Sequence, residues 1–91
     1  PDLEAFPCLS LAYEALKRGG SAPAVLNAAN EIAVAAFLDN KIAFLAIPEV
    51  IRQTLAEIPD SPLTDLDSVL AVDQRARHYA QSLVDGLDKA Q

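Results

Sequence analysis

Near the start of the chain, apolar residues recur at the spacing of one helix face, at Cys8, Leu11, Ala12, Ala15 and Leu16. This i, i+3, i+4, i+7, i+8 order is typical of an amphipathic helix. A proline opens the segment, and the pair Gly19-Gly20 follows it, which is the usual arrangement at helix starts and stops. The pattern therefore predicts a first helix over residues 7–18.

A second helix is predicted to run to about Leu38, with the Ser21 hydroxyl as its N-cap and Pro23 in its first turn. Residues 25–38 are apolar on nearly every side of this helix, and five of them are alanines. A helix without a broad polar side is expected to be buried. The second helix is therefore predicted to be the central and largely buried one.

The third helix is predicted to open at Pro48 and to end at Pro59, after a turn at residues 39–41 and a short extended piece at residues 42–44. Its expected inward residues are Ile47, Val50, Ile51, Thr54, Leu55 and Ile58. Thr64 is predicted to cap a short helix that ends at Leu70 or Ala71.

Asp73 is predicted to cap the last helix, which Gly86 and the polar tail should loosen. The expected buried stripe of this helix is Ala76, Tyr79, Ala80, Leu83 and Leu87. The pattern as a whole predicts one all-α domain over residues 1–91, a compact bundle of four main helices plus one short helix.

Charge and composition narrow the classes of partner. Thirteen acidic and seven basic residues give a net charge of −6, which is the wrong sign for binding nucleic acid or anionic lipid. No apolar run is long enough to cross a membrane, and one cysteine cannot form an internal disulfide. We expect a cytoplasmic protein with neither nucleic-acid nor membrane partners, and the start without Met or a secretory leader suggests a processed or excised piece.

The most informative polar residues are Asn27, Asn30 and Glu31, which share one face of the second helix at i, i+3, i+4. A polar side chain on a buried helix costs roughly 1–3 kcal/mol if unpaired. We therefore expect the three to bond another helix, loop backbone or a second domain, as structural or interdomain residues. A solvated stripe is a second interpretation, and ligand or metal binding a third, for which one carboxylate is too little charge.

Three weaker candidates for chemistry have more ordinary explanations. Cys8 and His78 could form a nucleophile and base, but a core cysteine and a surface histidine are favoured. The turn over residues 19–21 could bind an anion, although it lacks every glycine spacing of nucleotide loops. Three aspartates, Asp65, Asp67 and Asp73, imitate part of a calcium loop whose other ligand positions are apolar. No catalytic, cofactor-binding or metal residue is assigned.

A family resemblance spans nearly the whole chain. The matching strings are Pro1-Asp2, Phe6-Pro7-Cys8-Leu9 with Leu11-Ala12, the run from Ala24 to Leu38 apart from position 32, Phe44 with Ile47, and Val69-Leu70 with Asp73 and Ala76-Arg77. With these strings the chain resembles the C-terminal helical domain of the 1-deoxy-D-xylulose 5-phosphate reductoisomerase family. Leu45-Ala46 stand where that family usually has Thr and Asp, so the cap of the third helix is expected to be lost.

The resemblance implies a parent enzyme that rearranges its substrate and reduces it with NADPH to 2-C-methyl-D-erythritol 4-phosphate in non-mevalonate isoprenoid synthesis. It implies a divalent metal, Mg or Mn, in that parent, and a bacterial homodimer. NADPH and metal sites belong to domains that precede this one, so none is carried over onto this chain. The expected role is a scaffold for the catalytic domain. The alternatives are a free-standing helical module that docks a partner helix and an enzyme that uses Cys8.

Overall fold

The computed structural model describes residues 7–90, and these form four helices and no strand. The helices are α1 (Pro7–Arg18), α2 (Ala22–Leu38), α3 (Ala46–Glu57) and α4 (Leu66–Ala90). Each helix is in contact with the helix that follows it in the chain. The helices α2 and α3 form a central pair, and α1 and α4 lie on opposite sides of it without touching each other within residues 7–90. The all-α prediction is confirmed.

The core depends on the small side chains of α2, which contacts all three other helices. Its buried residues are Ala22, Val25, Ala28, Ala29, Ala33 and Ala36. Alanine allows neighbouring backbones to approach closely, and the larger side chains of α3 fill the space, including Val50, Ile51 and Leu55. All six residues predicted to face inward on the third helix are buried. The second helix is central as predicted, but it buries only one side.

The turn between α1 and α2 packs against the connection between α3 and α4. Ser21 is fully buried, and its Oγ accepts a hydrogen bond from the backbone N–H of Ser61 at 3.0 Å. The prediction that Ser21 caps α2 through its side chain is wrong, since no such bond forms. Its hydroxyl instead joins two turns that are 40 residues apart in sequence.

Two neighbours of Ser21 strengthen the same contact. Gly20 has a positive φ of 53°, and a Cβ added there would lie 2.7 Å from the Ser61 carbonyl oxygen. The Arg18 guanidinium donates to the Asp60 carboxylate, with Nε 2.9 Å from Oδ2, and to the Leu55 carbonyl oxygen at 3.1 Å. We call residues 18–21 with residues 60–61 the turn clamp. It ties the α1–α2 hairpin to the α3–α4 hairpin.

The end of α2 confirms the predicted turn at residues 39–41. Asn40 has a φ of 60°, the Lys41 N–H donates to the Ala36 carbonyl oxygen at 2.9 Å, and the Asn40 N–H donates to the Phe37 carbonyl oxygen at 3.0 Å. These two bonds define a Schellman motif with asparagine at the left-handed position. The chain reverses there without a glycine.

The prediction of an extended piece at residues 42–44 is wrong. Turns lead directly into α3, with the Ala46 N–H donating to the Ala43 carbonyl oxygen at 3.0 Å. As a result α3 begins at Ala46 and Pro48 lies inside its first turn, where no backbone donor is needed. Leu45 is the N-cap and makes no side-chain cap hydrogen bond, so the expected loss of this cap is confirmed.

The predicted short helix and last helix are one continuous helix, α4. Its cap is Asp65 rather than Thr64: the Ser68 N–H donates to Asp65 Oδ1 at 2.8 Å, and the Asp65 N–H donates to Ser68 Oγ at 3.2 Å. Asp73 lies inside the helix, where its Oδ2 accepts from Arg77 Nε at 2.8 Å. An aspartate that can bond a residue four positions later is tolerated in a helix interior. The bundle therefore has four helices.

The continuity of α4 changes its buried stripe. Ala76 and Ala80 are buried as predicted, whereas Tyr79 and Leu83 are only partly buried and Leu87 is exposed. Val72 and Val84 are buried although neither was expected to be. These two extend the i, i+4 row of the alanines in both directions, which a helix broken at Asp73 would not have done.

The first prediction concerns the close approach of Gly20 to Ser61. Replacing Gly20 with Ala adds a Cβ to a left-handed residue and places it against a backbone oxygen. Gly19 has a φ of 71° but nothing within 4 Å, so Gly19→Ala introduces backbone strain alone, about 1–2 kcal/mol. Urea unfolding of the 91-residue chain should show a larger loss of unfolding free energy for Gly20→Ala than for Gly19→Ala. Equal losses would mean that the turn clamp has room to relax.

The second prediction concerns acid. Hydrogen bonds from Arg52 and then Gln53 lower the pKa of Glu49 to about 2, and the hydrogen bond from Arg18 lowers the pKa of Asp60. Both carboxylates bind protons less readily in the folded chain, so they stabilise it at neutral pH and this stability is lost as the pH falls. The thermal midpoint should decline from pH 4.5 towards pH 2. Glu49→Gln should decline less over that range, and an identical decline would contradict the assignment.

Candidate interaction surface

An open groove of about 640 Å³ lies between the start of α1, the outer side of α2 and the start of α3. Its lining residues are Pro7, Cys8, Leu9, Ala12, Leu26, Asn27, Asn30, Phe44, Leu45, Ile47, Pro48 and Ile51. None of them is charged, although 22% of the residues in the chain are. Depletion of charge is typical of the centre of a protein interface. We call these twelve residues the uncharged groove.

Two of the predicted site residues, Asn27 and Asn30, lie in this groove, one turn apart on α2. Both are exposed. The expectation that they are buried within this domain is wrong, and the alternative of a solvated stripe describes them in this chain. Alanine occurs on every face of α2, so the sequence pattern gave all faces a similar apolar character. The solvent-exposed face could not be identified from it.

The third predicted residue, Glu31, meets another helix, as one of the expected pairings required. Its Oε1 accepts a hydrogen bond from Arg77 of α4 at 2.9 Å, and Arg77 also bonds Asp73. The bonds to Asp73 and then Glu31 raise the pKa of the Arg77 guanidinium. The role of Glu31 therefore differs from that of the two asparagines, since Glu31 joins α2 to α4.

The α2–α3 loop contributes two large apolar side chains to the groove, and neither was predicted from the sequence to be a site residue. Phe44 is 65% exposed and Leu45 is 83% exposed. The Phe44 ring is held edge-on against Phe37, with ring centroids 5.4 Å apart. A sequence signal existed, because adjacent apolar residues in a loop have no helix face to bury them, but the prediction of an extended piece concealed it.

The structure does not bring Cys8 and His78 together. Cys8 lies on α1 and His78 on α4, two helices that are not in contact within residues 7–90. Cys8 is exposed, so the expectation of a core cysteine is wrong, and His78 is exposed as favoured. Partial burial raises the pKa of the Cys8 thiol, which is opposite to the shift that activates a nucleophilic cysteine.

The two other candidates have structural roles. Residues 19–21 pack against residues 60–61, where the Asp60 carboxylate bonds Arg18. Asp65 caps α4 and Asp73 bonds Arg77. Within residues 7–90 no group of three His, Cys, Asp or Glu side chains is placed to hold a metal ion. The described side chains therefore do not fit the divalent metal that the family resemblance implies for the parent.

Within residues 7–90 no helix is both long enough and apolar enough to cross a membrane.

Comparisons with known proteins identify one and the same family over most of the chain. The family model described as DXP reductoisomerase C-terminal domain matches residues 1–79. The 1-deoxy-D-xylulose 5-phosphate reductoisomerase of Nitrosomonas eutropha is 55% identical over 85 residues, which are 93% of this chain and 21% of that protein. The reductoisomerase of Methylococcus capsulatus is 53% identical over 87 residues, which are 96% of this chain and 22% of that protein.

A solved structure gives the same result. The 1-deoxy-D-xylulose 5-phosphate reductoisomerase from Zymomonas mobilis in complex with NADPH superposes with a TM-score of 0.89 at 50% identity, covering 93% of this chain and 22% of that one. The chain thus spans about a fifth of the length of the relatives it matches. The resemblance inferred from the sequence is confirmed: this chain belongs to the DXP reductoisomerase C-terminal domain family.

Proposed function

We propose that this chain is the non-catalytic C-terminal domain of an NADPH-dependent 1-deoxy-D-xylulose 5-phosphate reductoisomerase. The observation that carries the proposal is the match, at more than 50% identity, of over nine tenths of this chain to about one fifth of such enzymes. The reaction of the parent would form 2-C-methyl-D-erythritol 4-phosphate in non-mevalonate isoprenoid synthesis. On this proposal the parent is a cytoplasmic homodimer.

The chemistry of the described side chains supports a role without bond-making. They offer no metal-ligand cluster, and the exposed thiol of Cys8 has a raised pKa. The NADPH and the Mg or Mn ion of the parent would be held by the four fifths of the polypeptide that this chain does not match. What this domain contributes is a rigid support, because fixing the position of catalytic groups lowers the entropy cost of the reaction.

The partner that we propose is the catalytic domain of the same polypeptide. Asn27 and Asn30 lie exposed on α2 in a groove that has no charge, which suits them to an interdomain contact. Glu31 has a structural role instead, since its pair with Arg77 holds α2 against α4. The three predicted residues would therefore act in two ways, two between domains and one within this domain.

A second candidate function is a free-standing helical module that docks the helix of a separate partner. The uncharged groove favours it, because amphipathic helices bind in apolar grooves of this kind. Sequencing the source locus distinguishes the two. A long reading frame that continues upstream through a dinucleotide-binding glycine motif supports the reductoisomerase, and a start codon next to Pro1 supports the module.

The third prediction tests the proposed function by activity. The full-length polypeptide that contains this chain should oxidise NADPH when given 1-deoxy-D-xylulose 5-phosphate and Mn or Mg, monitored at 340 nm. The 91-residue chain under the same conditions should show no turnover above the buffer control. Inactivity of the full-length polypeptide, or turnover by the 91-residue chain alone, would overturn the proposal.

The fourth prediction separates the two roles of the polar residues on α2. Glu31→Ala should lower the stability of the 91-residue chain by less than about 1 kcal/mol, because its ion pair is partly exposed. Asn30→Ala should leave that stability unchanged within about 0.5 kcal/mol and should lower turnover or thermal stability of the full-length polypeptide. Differential scanning calorimetry and steady-state kinetics measure both. An Asn30→Ala variant with no effect on the full-length polypeptide would remove this residue from the interface.

A further inference from the structure

We infer that the uncharged groove, which includes Phe44 and Leu45, binds an apolar and uncharged surface of the catalytic domain in the parent polypeptide. This inference rests on the proposed function and names the surface through which that function is performed. It commits to one occupant, another domain of the same polypeptide, rather than a second copy of this chain or a separate protein.

The first argument is the absence of charge. Each of the other surface depressions described within residues 7–90 has at least one charged side chain in its wall, whereas this one has none. On a chain with net charge −6, an uncharged surface of this size is distinctive. Burying it against a partner desolvates no ion, so the cost of removing charged groups from water is absent here.

The second argument is that Phe44 and Leu45 are exposed and positioned to insert into a partner surface. The contact with Phe37 restricts the Phe44 ring while 65% of the residue stays exposed, and Leu45 beside it is 83% exposed. A restrained aromatic side chain loses little conformational entropy on binding. Apolar and aromatic side chains of this kind form the anchors of protein interfaces. The groove can accept apolar groups of a partner, and these two of its lining residues can insert into the partner.

The third argument identifies the partner as a domain of the same polypeptide. The chain matches only 21–22% of its relatives, and the matching family model is a C-terminal domain, so in the parent a much longer polypeptide precedes α1. The start of α1, at Pro7 and Cys8, is itself a wall of the groove. The preceding polypeptide therefore arrives beside the groove, and its tethering gives the catalytic domain a high effective concentration there.

Cys8 is exposed and lies in the wall of the groove, so the reactivity of its thiol reports whether the groove is covered. If the catalytic domain covers the groove, alkylation of Cys8 by iodoacetamide should be at least ten-fold slower in the native full-length polypeptide than in the 91-residue chain at the same pH. Mass spectrometry of the peptide that contains Cys8 gives the rate without interference from other cysteines. Equal rates would overturn the inference.

A matched pair of variants tests whether the protection depends on this surface. Leu45→Asp places a charge in the wall of the groove, and Leu16→Asp places the same charge on α1 at a leucine that is 66% exposed and outside the groove. In the full-length polypeptide Leu45→Asp should restore most of the Cys8 reactivity, and Leu16→Asp should not. Circular dichroism of both variants checks that the helices remain. Equal effects of the two variants on the rate would contradict the inference.

The remaining outcomes separate the inference from the proposed function. Slow alkylation of Cys8 in the 91-residue chain, with a dimer by light scattering that Leu45→Asp dissociates, would assign the groove to a second copy and overturn the inference. Unprotected Cys8 in a full-length polypeptide that is an active reductoisomerase would overturn the inference alone. Protected Cys8 in a full-length polypeptide without that activity would support the docking and overturn the proposed function.

Discussion

The turn clamp is the constraint on which the arrangement of the bundle depends. The two hairpins of the chain meet where Gly20 passes within contact of the Ser61 backbone and where the Ser21 hydroxyl satisfies the Ser61 N–H. A side chain at position 20 would force these backbones apart. Arg18 adds a bidentate hold on Asp60 and a bond to the Leu55 carbonyl oxygen. The clamp sets the relative position of α1 and α3, and this position creates the uncharged groove at their opposite ends.

The size of the α2 side chains determines how the remaining helices pack. With alanine at most of its buried positions, α2 lets α3 and α4 approach on one side while its other side stays in solvent. The same helix therefore forms the centre of the domain and one wall of the groove. A helix with large apolar residues all round could not serve both purposes, because its outer side would lack residues such as Asn27 and Asn30.

The sequence predicted what depends on local pattern. The bounds of α1 and the turn at Asn40 follow from glycine, proline and asparagine chemistry, and the inward face of α3 follows from its apolar spacing. The errors arose where a residue had a partner that was distant in sequence or unexpected. The Ser21 hydroxyl bonds Ser61 rather than a backbone N–H of its own helix, and Asp73 bonds Arg77 within α4 rather than capping a new helix. Asn27 and Asn30 are exposed because the alanines on the other side of α2 are the ones that face inward. Apolar periodicity could not predict this, since every face of α2 contains alanine.

The shallow anchoring of α1 has a thermodynamic consequence. Ala15 is the one buried residue of α1, and within residues 7–90 the only helices that α1 contacts are α2 and α3. Its C-terminal end is fastened by Arg18, so its N-terminal turns have the least to hold them and should be the first part of the fold to open. A domain that binds in the groove contacts those turns. Folding of the N-terminal turns of α1 and binding of a neighbouring domain are then linked equilibria, and each would favour the other.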